Sequence, residues 1–361
     1  MSPMQKSIEV EYWVIDRDGK LASPNQLTEH SKLVEEEFVD CLFELKTPPC
    51  ETLDELRTTF VEQLDDLLTK ARELNRLLVP LGTPINSETI ETLDSERGRI
   101  QRRVVGSNFD YAKYCAGTHL HFEKRNVVDQ LNTLIGLDPA LALCNSSPYF
   151  RGEWIADGAR AHLYRRKCYE DFPKHGQLWN YAETVAQWNR RLERRFEEFK
   201  SSAIEAGVDE EAVETNFSPD DVVWTPIRLR DEMPTVEWRS PDATLPSQIL
   251  QLVDAIDDLM EHLHNSNVRI GGEVGRITDD EVRLPTFDTL CDYAEDAIHE
   301  GVESPDVYEY LTSMGFTVDE YDPLTREFDR GSQVSLQDAR TMRRRYADRL
   351  VEDVAELARE L

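Results

Sequence analysis

Polar and apolar residues alternate over several short segments, and this alternation is the first structural signal in the chain. Residues 7–16 read SIEVEYWVID, in which Ile8, Val10 and Tyr12 alternate with glutamates. A period of two residues predicts a β-strand, because successive side chains point to opposite faces of a sheet. The same reasoning predicts further strands at residues 41–46, 114–123, 222–229 and 235–239.

Other segments carry apolar residues at helical spacing. Leucines in residues 53–78 recur at intervals of three and four, with acidic residues near the start, which is typical of an amphipathic helix. Strands separated by long helices, with few tight βαβ units, favour an α+β fold. We predict one domain, residues 1–361, whose mostly antiparallel sheet carries helices on one face. The other predicted helices lie at residues 127–143, with a break at Asp138–Pro139, and at 176–206, 249–263, 287–299, 307–314 and 335–361, with a loop and a short helix at 83–113.

Four of the predicted strands also carry charged or imidazole side chains. Even spacing places such residues on the same face, about 7 Å apart along the strand. Several charged faces that meet in one interior or cleft are costly unless the charges are paired or bind a metal. The residues concerned are Glu9 and Glu11 on the first strand, Glu44 on the second, His119 and His121 on the third, and Glu237 and Arg239 on the last.

Each of these patterns also has an ordinary structural explanation. Glu-x-Glu is common on a solvated strand face, His-x-His can be a satisfied core pair, and Glu-x-Arg is often a plain ion pair. In combination, carboxylates with an imidazole and a guanidinium favour a site for a hard cation, Mg²⁺ or Mn²⁺. The spacing alone leaves open whether the strands are neighbours.

The composition narrows the class of partner. The chain has 71 Asp and Glu against 41 Lys and Arg, a formal net charge of −30. This charge repels phosphate backbones and argues against a nucleic-acid partner. Lysine is absent after Lys200, and acids are spread along the whole chain. Since the Debye length falls to about 3 Å at 1 M salt, this pattern indicates adaptation to high salt.

Targeting and cofactor signals are few. No apolar run approaches the roughly 20 residues that span a bilayer, and residues 1–6 lack a secretory signal, so a cytoplasmic protein without membrane contact is predicted. The six cysteines form no Cys-x-x-Cys pair, which predicts free thiols. The chain contains no Walker A motif or Gly-x-Gly-x-x-Gly loop. Any bound nucleotide must therefore be held through metals and residues of the sheet.

Five segments resemble, in order, the sequence blocks of the type 2 glutamate–cysteine ligases and their carboxylate–amine ligase relatives. The match begins in the first strand, has Ser7 where Gly is common, and extends to residue 245. The high-salt composition is most similar to that of the haloarchaeal members. The five blocks are SIEVEYWVIDRDGKLA, CLFELKTPPCETL, AGTHLHFE, LALCNSSPYFRGE and MPTVEWRSPDATL.

The resemblance implies a fold shared with glutamine synthetase and guanidino kinases, in which the concave face of a curved sheet holds ATP, two or three Mg²⁺ and an amino acid. It implies that Arg239 lies near the transferred phosphoryl group. Tyr164–Arg165 resembles the family's Tyr-Arg, so Arg165, together with Arg160, is expected to bind the glutamate carboxylate. The implied metal ligands are Glu9, Glu11, Glu44, Glu237 and His119 or His121.

The function that follows from this resemblance is the ATP-dependent joining of the γ-carboxylate of L-glutamate to the amine of L-cysteine through an acyl phosphate. The alternatives are a ligase with another amine acceptor, a guanidino kinase, an ATP-independent metallohydrolase built on His119 and His121, and an acidic metal-buffering protein. Homo-oligomerisation through residues 249–263 or the final helix is also compatible with the sequence.

Overall fold

The structure is a computed structural model that describes residues 3–231, 233–272, 274–331 and 333–361. Its central feature is a seven-stranded sheet in the order β2-β3-β1-β5-β9-β8, with β4 pairing on β1 as well. The strands of the described chain are β1 (Lys6–Ile15), β2 (Val34–Glu36), β3 (Leu42–Lys46), β4 (Leu77–Val79), β5 (Thr118–Glu123), β6 (Tyr149–Phe150), β7 (Glu153–Trp154), β8 (Ile227–Arg230), β9 (Thr235–Trp238), β10 (Asn267–Ile270), β11 (Arg276–Thr278) and β12 (Glu281–Leu284).

Every pairing within the main sheet is antiparallel. Long helices surround this sheet, which confirms the predicted α+β class. The helices are α1 (Leu53–Glu73), α2 (Glu96–Val105), α3 (Val127–Gly136), α4 (Ala159–His162), α5 (Pro173–Gly176), α6 (Val185–Glu205), α7 (Glu210–Asn216), α8 (Pro246–His262), α9 (Phe287–His299), α10 (Pro305–Ser313) and α11 (Leu336–Glu360).

The apolar face of the sheet packs on helices α1, α8 and α11. Ile8, Val10 and Tyr12 of β1 are fully buried there, as the alternation of β1 predicts. One charged pair crosses this layer: Lys6 Nζ donates to Asp257 Oδ2 of α8 at 2.6 Å. Apolar burial therefore holds the sheet on its helices, and the opposite face is left for polar side chains.

Several predicted boundaries were wrong, each for a local reason. The helix predicted at 53–78 ends at Glu73, because Asn75 takes a φ of 55° and residues 77–79 turn back as β4 beside β1. Residues 127–143 were predicted as a helix with a break at Asp138–Pro139, and α3 does end close to that break, at Gly136. Pro139 lacks the N–H that would continue the α-helix, and a 3₁₀ segment, Asp138–Cys144, follows.

Two smaller sheets escaped prediction. Strands β10, β12 and β11 form a three-stranded sheet, in which β10 runs parallel to β12. Strands β6 and β7 form a hairpin whose turn places Arg151 at a φ of 52° and Gly152 at 83°. These strands are only two to four residues long, so their alternation is too brief to stand out in the sequence.

Within the ranges described, every helix is too short or too polar to cross a membrane.

Candidate functional site

Strand register brings the predicted charged residues together on one face of the sheet. Glu11 of β1 lies opposite Glu44 of β3, and Glu9 lies opposite His119 of β5. One strand further, His121 lies opposite Glu237 of β9. The four strands are consecutive neighbours in the sheet, and their apolar residues occupy the other face. We call this surface the acidic face.

Side-chain distances show a compact cluster centred on Glu9. Its Oε2 atom lies 3.2 Å from Nδ1 of His119 and 3.3 Å from Nε2 of His121. Nδ1 of His119 also lies 3.6 Å from Glu44 Oε1 and 3.8 Å from Glu237 Oε1. These are separations at which several groups can share one or more cations.

Among the described residues, the acidic face contains three sets of potential metal donors. Within each set the donor atoms lie within 4.8 Å of one another, close enough to bind a metal ion. Two of the sets contain only residues that the sequence pointed to. The third adds Glu37, a half-buried residue between β2 and β3, which sequence reasoning missed. The sets are Glu9 with His121 and Glu237, Glu9 with Glu44 and His119, and Glu11 with Glu37 and Glu44.

The carboxylates on the β3 side of this face oppose one another's ionisation. Burial and the charge of Glu9 raise the pKa of Glu44 to about 8, although the Lys46 ammonium lies 2.9 Å away. Burial and the charges of Glu11 and Glu44 raise the pKa of Glu37 well above its ordinary value. A divalent cation would remove this repulsion, so the excess of buried negative charge fits a metal site.

The remaining donors are prepared for ligation. Burial, with the charge of Arg239, lowers the pKa of His119, so at neutral pH the imidazole keeps a lone pair for a cation. Burial alone would raise the pKa of Glu9, but the hydrogen bond with His119 and the nearby imidazole of His121 outweigh it and keep the carboxylate ionised. Glu237 Oε2 and both imidazole Nε2 atoms are buried without a hydrogen-bond partner in the described structure. Oxygen and imidazole donors of this kind suit Mg²⁺ or Mn²⁺.

Glu237 connects the acidic face to a group of arginines. Its side chain is fully buried, and Arg239 donates from Nη1 to Oε1. Burial opposes ionisation, but the charge of Arg239 outweighs it and lowers the pKa of Glu237. Arg228 lies opposite Glu237 in the register of β8 and β9, and Arg230 Nη1 lies 3.8 Å from Glu237 Oε2.

The two arginines expected to bind glutamate are anchored by the protein. Arg165 lies in a π-helical turn, Leu163–Cys168, and donates to both carboxylate oxygens of Asp138 at 2.6 and 2.9 Å, and to Ser240 Oγ at 2.9 Å. Arg160 donates at 3.2 Å to the carbonyl oxygens of Arg239 and Ser240. It passes so close to Gly117 that a Cβ there would lie 1.9 Å from Nη2.

A cavity of about 550 Å³ lies over the acidic face. Glu9, Glu11, Glu44 and His119 line its floor, while Arg160, Arg165, Arg239 and the arginines of α2 line other parts. Nine lysines and arginines face six acidic residues across this lining, although the chain as a whole carries a charge of −30. The volume and the concentration of basic groups suit a small polyanion.

The structure also assembles residues that the sequence pattern did not identify. Glu37 lies in irregular chain, where no period marks it. Arg230 lies at the end of a strand whose predicted bounds, 222–229, were wrong, because Pro219 begins a 3₁₀ turn and β8 starts only at Ile227. The arginine-rich composition of residues 83–113 was the one signal for the basic wall of α2.

The fold and the site together define an α+β protein with a carboxylate–imidazole metal-type site on an antiparallel sheet. Residues 8–283 match the sequence profile of glutamate–cysteine ligase family 2, and the chain belongs to that family. This confirms the resemblance found in the sequence blocks. All the predicted site residues lie within the matched range.

One solved structure supports the fold, and a second shows a weaker similarity. A bifunctional glutathione synthetase from Pasteurella multocida is similar with a TM-score of 0.60 and 14% identity, over 98% of this chain and 53% of that one. This chain thus spans about half the length of that protein. A glutamate–cysteine ligase from Francisella tularensis, solved in complex with AMP, has a TM-score of 0.49 and 12% identity, over 99% and 92% of the two chains. No curated protein matches the sequence.

Proposed function

We propose that this chain is a magnesium-dependent ligase that uses ATP to join the γ-carboxylate of L-glutamate to the amine of L-cysteine. The observation that carries the proposal is the convergence of buried carboxylates, an imidazole and a guanidinium beneath one cavity. Membership of glutamate–cysteine ligase family 2 supports the same reaction class. A carboxylate–amine ligase with a different amine acceptor is the nearest alternative.

The residues that would hold Mg²⁺, or Mn²⁺ in its place, are those of the three donor sets. When bound, the metal neutralises charge on the triphosphate and lets an anionic nucleophile approach. Glu9 and Glu44 each belong to two of these sets. The seven ligands are Glu9, Glu11, Glu37, Glu44, His119, His121 and Glu237.

ATP binding is supported by the charge of the cavity. The acidic face lies on one side and the guanidinium groups lie on the others. A triphosphate that carries metal ions on one side and meets arginines on the other satisfies both surfaces. Arg239 hydrogen-bonds Glu237, so its guanidinium is held beside the donor set that contains this carboxylate.

The reaction has two steps. An oxygen of the γ-carboxylate attacks the terminal phosphorus, and ADP leaves with the bond electrons. The amine then attacks the acyl carbon, phosphate leaves, and the nitrogen loses a proton. Arg239 would stabilise the charge on the transferred group, and the cavity would align the reactants and exclude water.

Glutamate binding is assigned to Arg165 and Arg160 as a proposal. Both line the cavity. Arg165 already donates two hydrogen bonds to Asp138, which hold its guanidinium in a fixed position at the cavity wall. From this position it would attract the glutamate carboxylate electrostatically. Arg160 is bound to carbonyl oxygens, which do not neutralise it, and its Nε atom is buried without a partner in the described structure.

We further propose that residues 1–361 act as one catalytic domain. The main apolar core runs from Met4 to Leu357, and only a small second cluster around Phe109 and Tyr169 is separate from it in the described chain, which supports this organisation. We also propose that the protein is adapted to high salt, on the grounds of its net charge of −30.

The test is a phosphate-release assay with ATP, Mg²⁺, glutamate and a panel of amines, with products identified by mass. We expect ADP, phosphate and γ-glutamylcysteine in equal amounts with cysteine. Turnover with another amine alone would select the alternative acceptor. Hydrolytic activity that needs no ATP would replace the proposal with the metallohydrolase, and release of no phosphate with any amine would end it.

A further inference from the structure

We propose that Arg230 is a second guanidinium, beside Arg239, that contacts the terminal phosphate of the bound nucleotide. The inference rests on the proposed function and adds a residue to the phosphate-binding side of the cavity. Arg230 is the last residue of β8, the strand that pairs with β9, and it lines the cavity.

Strand alternation directs Arg230 to the acidic face. Arg230 pairs with Thr235 of β9, and Arg228 pairs with Glu237. Because Arg230 and Arg228 are two residues apart on β8, both lie on the same face of the sheet as Glu237. The side chain is 32% exposed, so it reaches the cavity without being sealed in the core. Among the described residues, its nearest carboxylate atom is Glu237 Oε2, at 3.8 Å, which is longer than a hydrogen bond.

The other arginines of the cavity are committed to protein acceptors. Six of the seven that line it donate hydrogen bonds to groups of the described chain, whereas no such bond is found for Arg230 within those ranges. The six are Arg97 to Asp221, Arg99 to Asp94, Arg102 to Asp110, Arg160 to backbone carbonyls, Arg165 to Asp138 and Arg239 to Glu237.

The charges around Glu237 also indicate that Arg230 is available to bind an anion. Two guanidinium groups, those of Arg230 and Arg239, lie 3.8 and 2.5 Å from the single carboxylate of Glu237, so positive charge exceeds negative charge at these contacts. Arg239 approaches Oε1 of Glu237, and Arg230 approaches Oε2 from the other side.

Glu237 also belongs to a metal donor set with Glu9 and His121. An anion bound to a cation in that set would lie within reach of both arginines. A phosphate group has enough oxygens to bind the metal and accept from two guanidinium groups, whereas a carboxylate has only two. A terminal phosphoryl group therefore fits this corner better than the carboxylate of an amino acid.

The experiment is a calorimetric titration, in Mg²⁺ buffer, of ADP and of a non-hydrolysable ATP analogue into the wild type, Arg230→Ala and Arg230→Lys. We expect Arg230→Ala to weaken the analogue about tenfold or more, because it loses charge-assisted hydrogen bonds, and to change ADP affinity less than about twofold. Arg230→Lys keeps the charge without the fork and should fall between the two.

Arg97→Ala is the matched control, because it removes an equal charge from the part of the cavity lining that α2 supplies. It should change the affinities for ADP and the analogue by the same factor. Mn²⁺ titration of Arg230→Ala should give the wild-type number of bound ions, which shows that the donor sets remain folded.

Equal weakening of ADP and the analogue in Arg230→Ala, or no weakening of the analogue, would overturn the role of Arg230 alone. A raised KM for glutamate with unchanged analogue affinity would do the same and would assign Arg230 to the amino acid. Failure of the wild type to bind either nucleotide would instead remove the proposed function, and this inference with it.

Discussion

Buried charge is handled in two different ways in this molecule. Around Asp138, each charged or polar group has a partner: Arg165 is bidentate to the carboxylate, and Ser240 donates to it as well. On the acidic face, five glutamates crowd together with two imidazoles, and several donor atoms have no hydrogen-bond partner in the described chain.

This difference distinguishes a charged group that stabilises the fold from one that is suited to bind a ligand. The Asp138 group is complete within the protein, so removing one member leaves an uncompensated charge. Under the proposed function a cation completes the acidic face, so removing a member should relieve repulsion in the metal-free protein and weaken metal binding. Four predictions test this contrast, from the largest expected effect to the smallest.

Arg239→Ala should lower the rate of ATP-dependent ligation by about 10³-fold or more, because a guanidinium at the transferred phosphoryl group stabilises the transition state. The measurement is kcat from ADP release. Arg97→Ala, which changes the part of the cavity lining that α2 supplies, is the control and should retain most of the rate. A loss for Arg239→Ala no larger than that for Arg97→Ala would contradict the assignment.

Asp138→Asn should lower the free energy of unfolding by about 3–5 kcal/mol, because the Arg165 guanidinium is left buried without its counter-charge. Urea denaturation measures the change. Asp94→Asn breaks the more exposed pair with Arg99 and should cost less than about 1 kcal/mol. Similar losses in the two variants would show that burial of the Asp138 pair carries no special weight.

Glu44→Gln should have the opposite sign and stabilise the metal-free protein by about 1–3 kcal/mol at pH 9, where the native carboxylate is ionised against its neighbours. The same variant should bind Mg²⁺ more weakly. Glu35→Gln, its more exposed cross-strand neighbour, is the control and should change neither property strongly. If Glu44→Gln lowered the stability of the metal-free protein, the charge of Glu44 would be compensated within the protein, as that of Asp138 is.

The pH dependence follows from the pKa of Glu44, which rises from an ordinary 4.5 to about 8. The folded chain then binds more protons than the unfolded chain between these values, so metal-free stability should fall as pH rises through that interval. Mg²⁺ binding at pH 7 should release about one proton from this group, and fewer above pH 9. Calorimetry in buffers of different ionisation enthalpy measures the release, and its absence at pH 7 would contradict the crowded carboxylate.

Much of the acidic face was predictable, because side chains two residues apart on a strand point to the same face of the sheet. Glu9 and Glu11 on β1, and His119 and His121 on β5, needed only a period of two to be placed on common faces. Glu37 was missed because irregular chain has no period that gives the direction of a side chain. The Arg165–Asp138 pair was missed because its two residues lie on separate turns that meet only in the folded chain.

The sequence by itself determined the α+β class, the strands with their charged faces, and the family whose blocks they match. These features depend on local periodicity and on short ordered motifs, which are present before the chain folds. Tertiary structure alone decided that β3, β1, β5 and β9 are neighbours, in registers that bring Glu44, Glu9, His119 and Glu237 within reach of one cation. It also decided which arginines the protein already satisfies and which one faces the cavity without a hydrogen-bond acceptor in the described chain, because such pairings depend on contacts between distant segments.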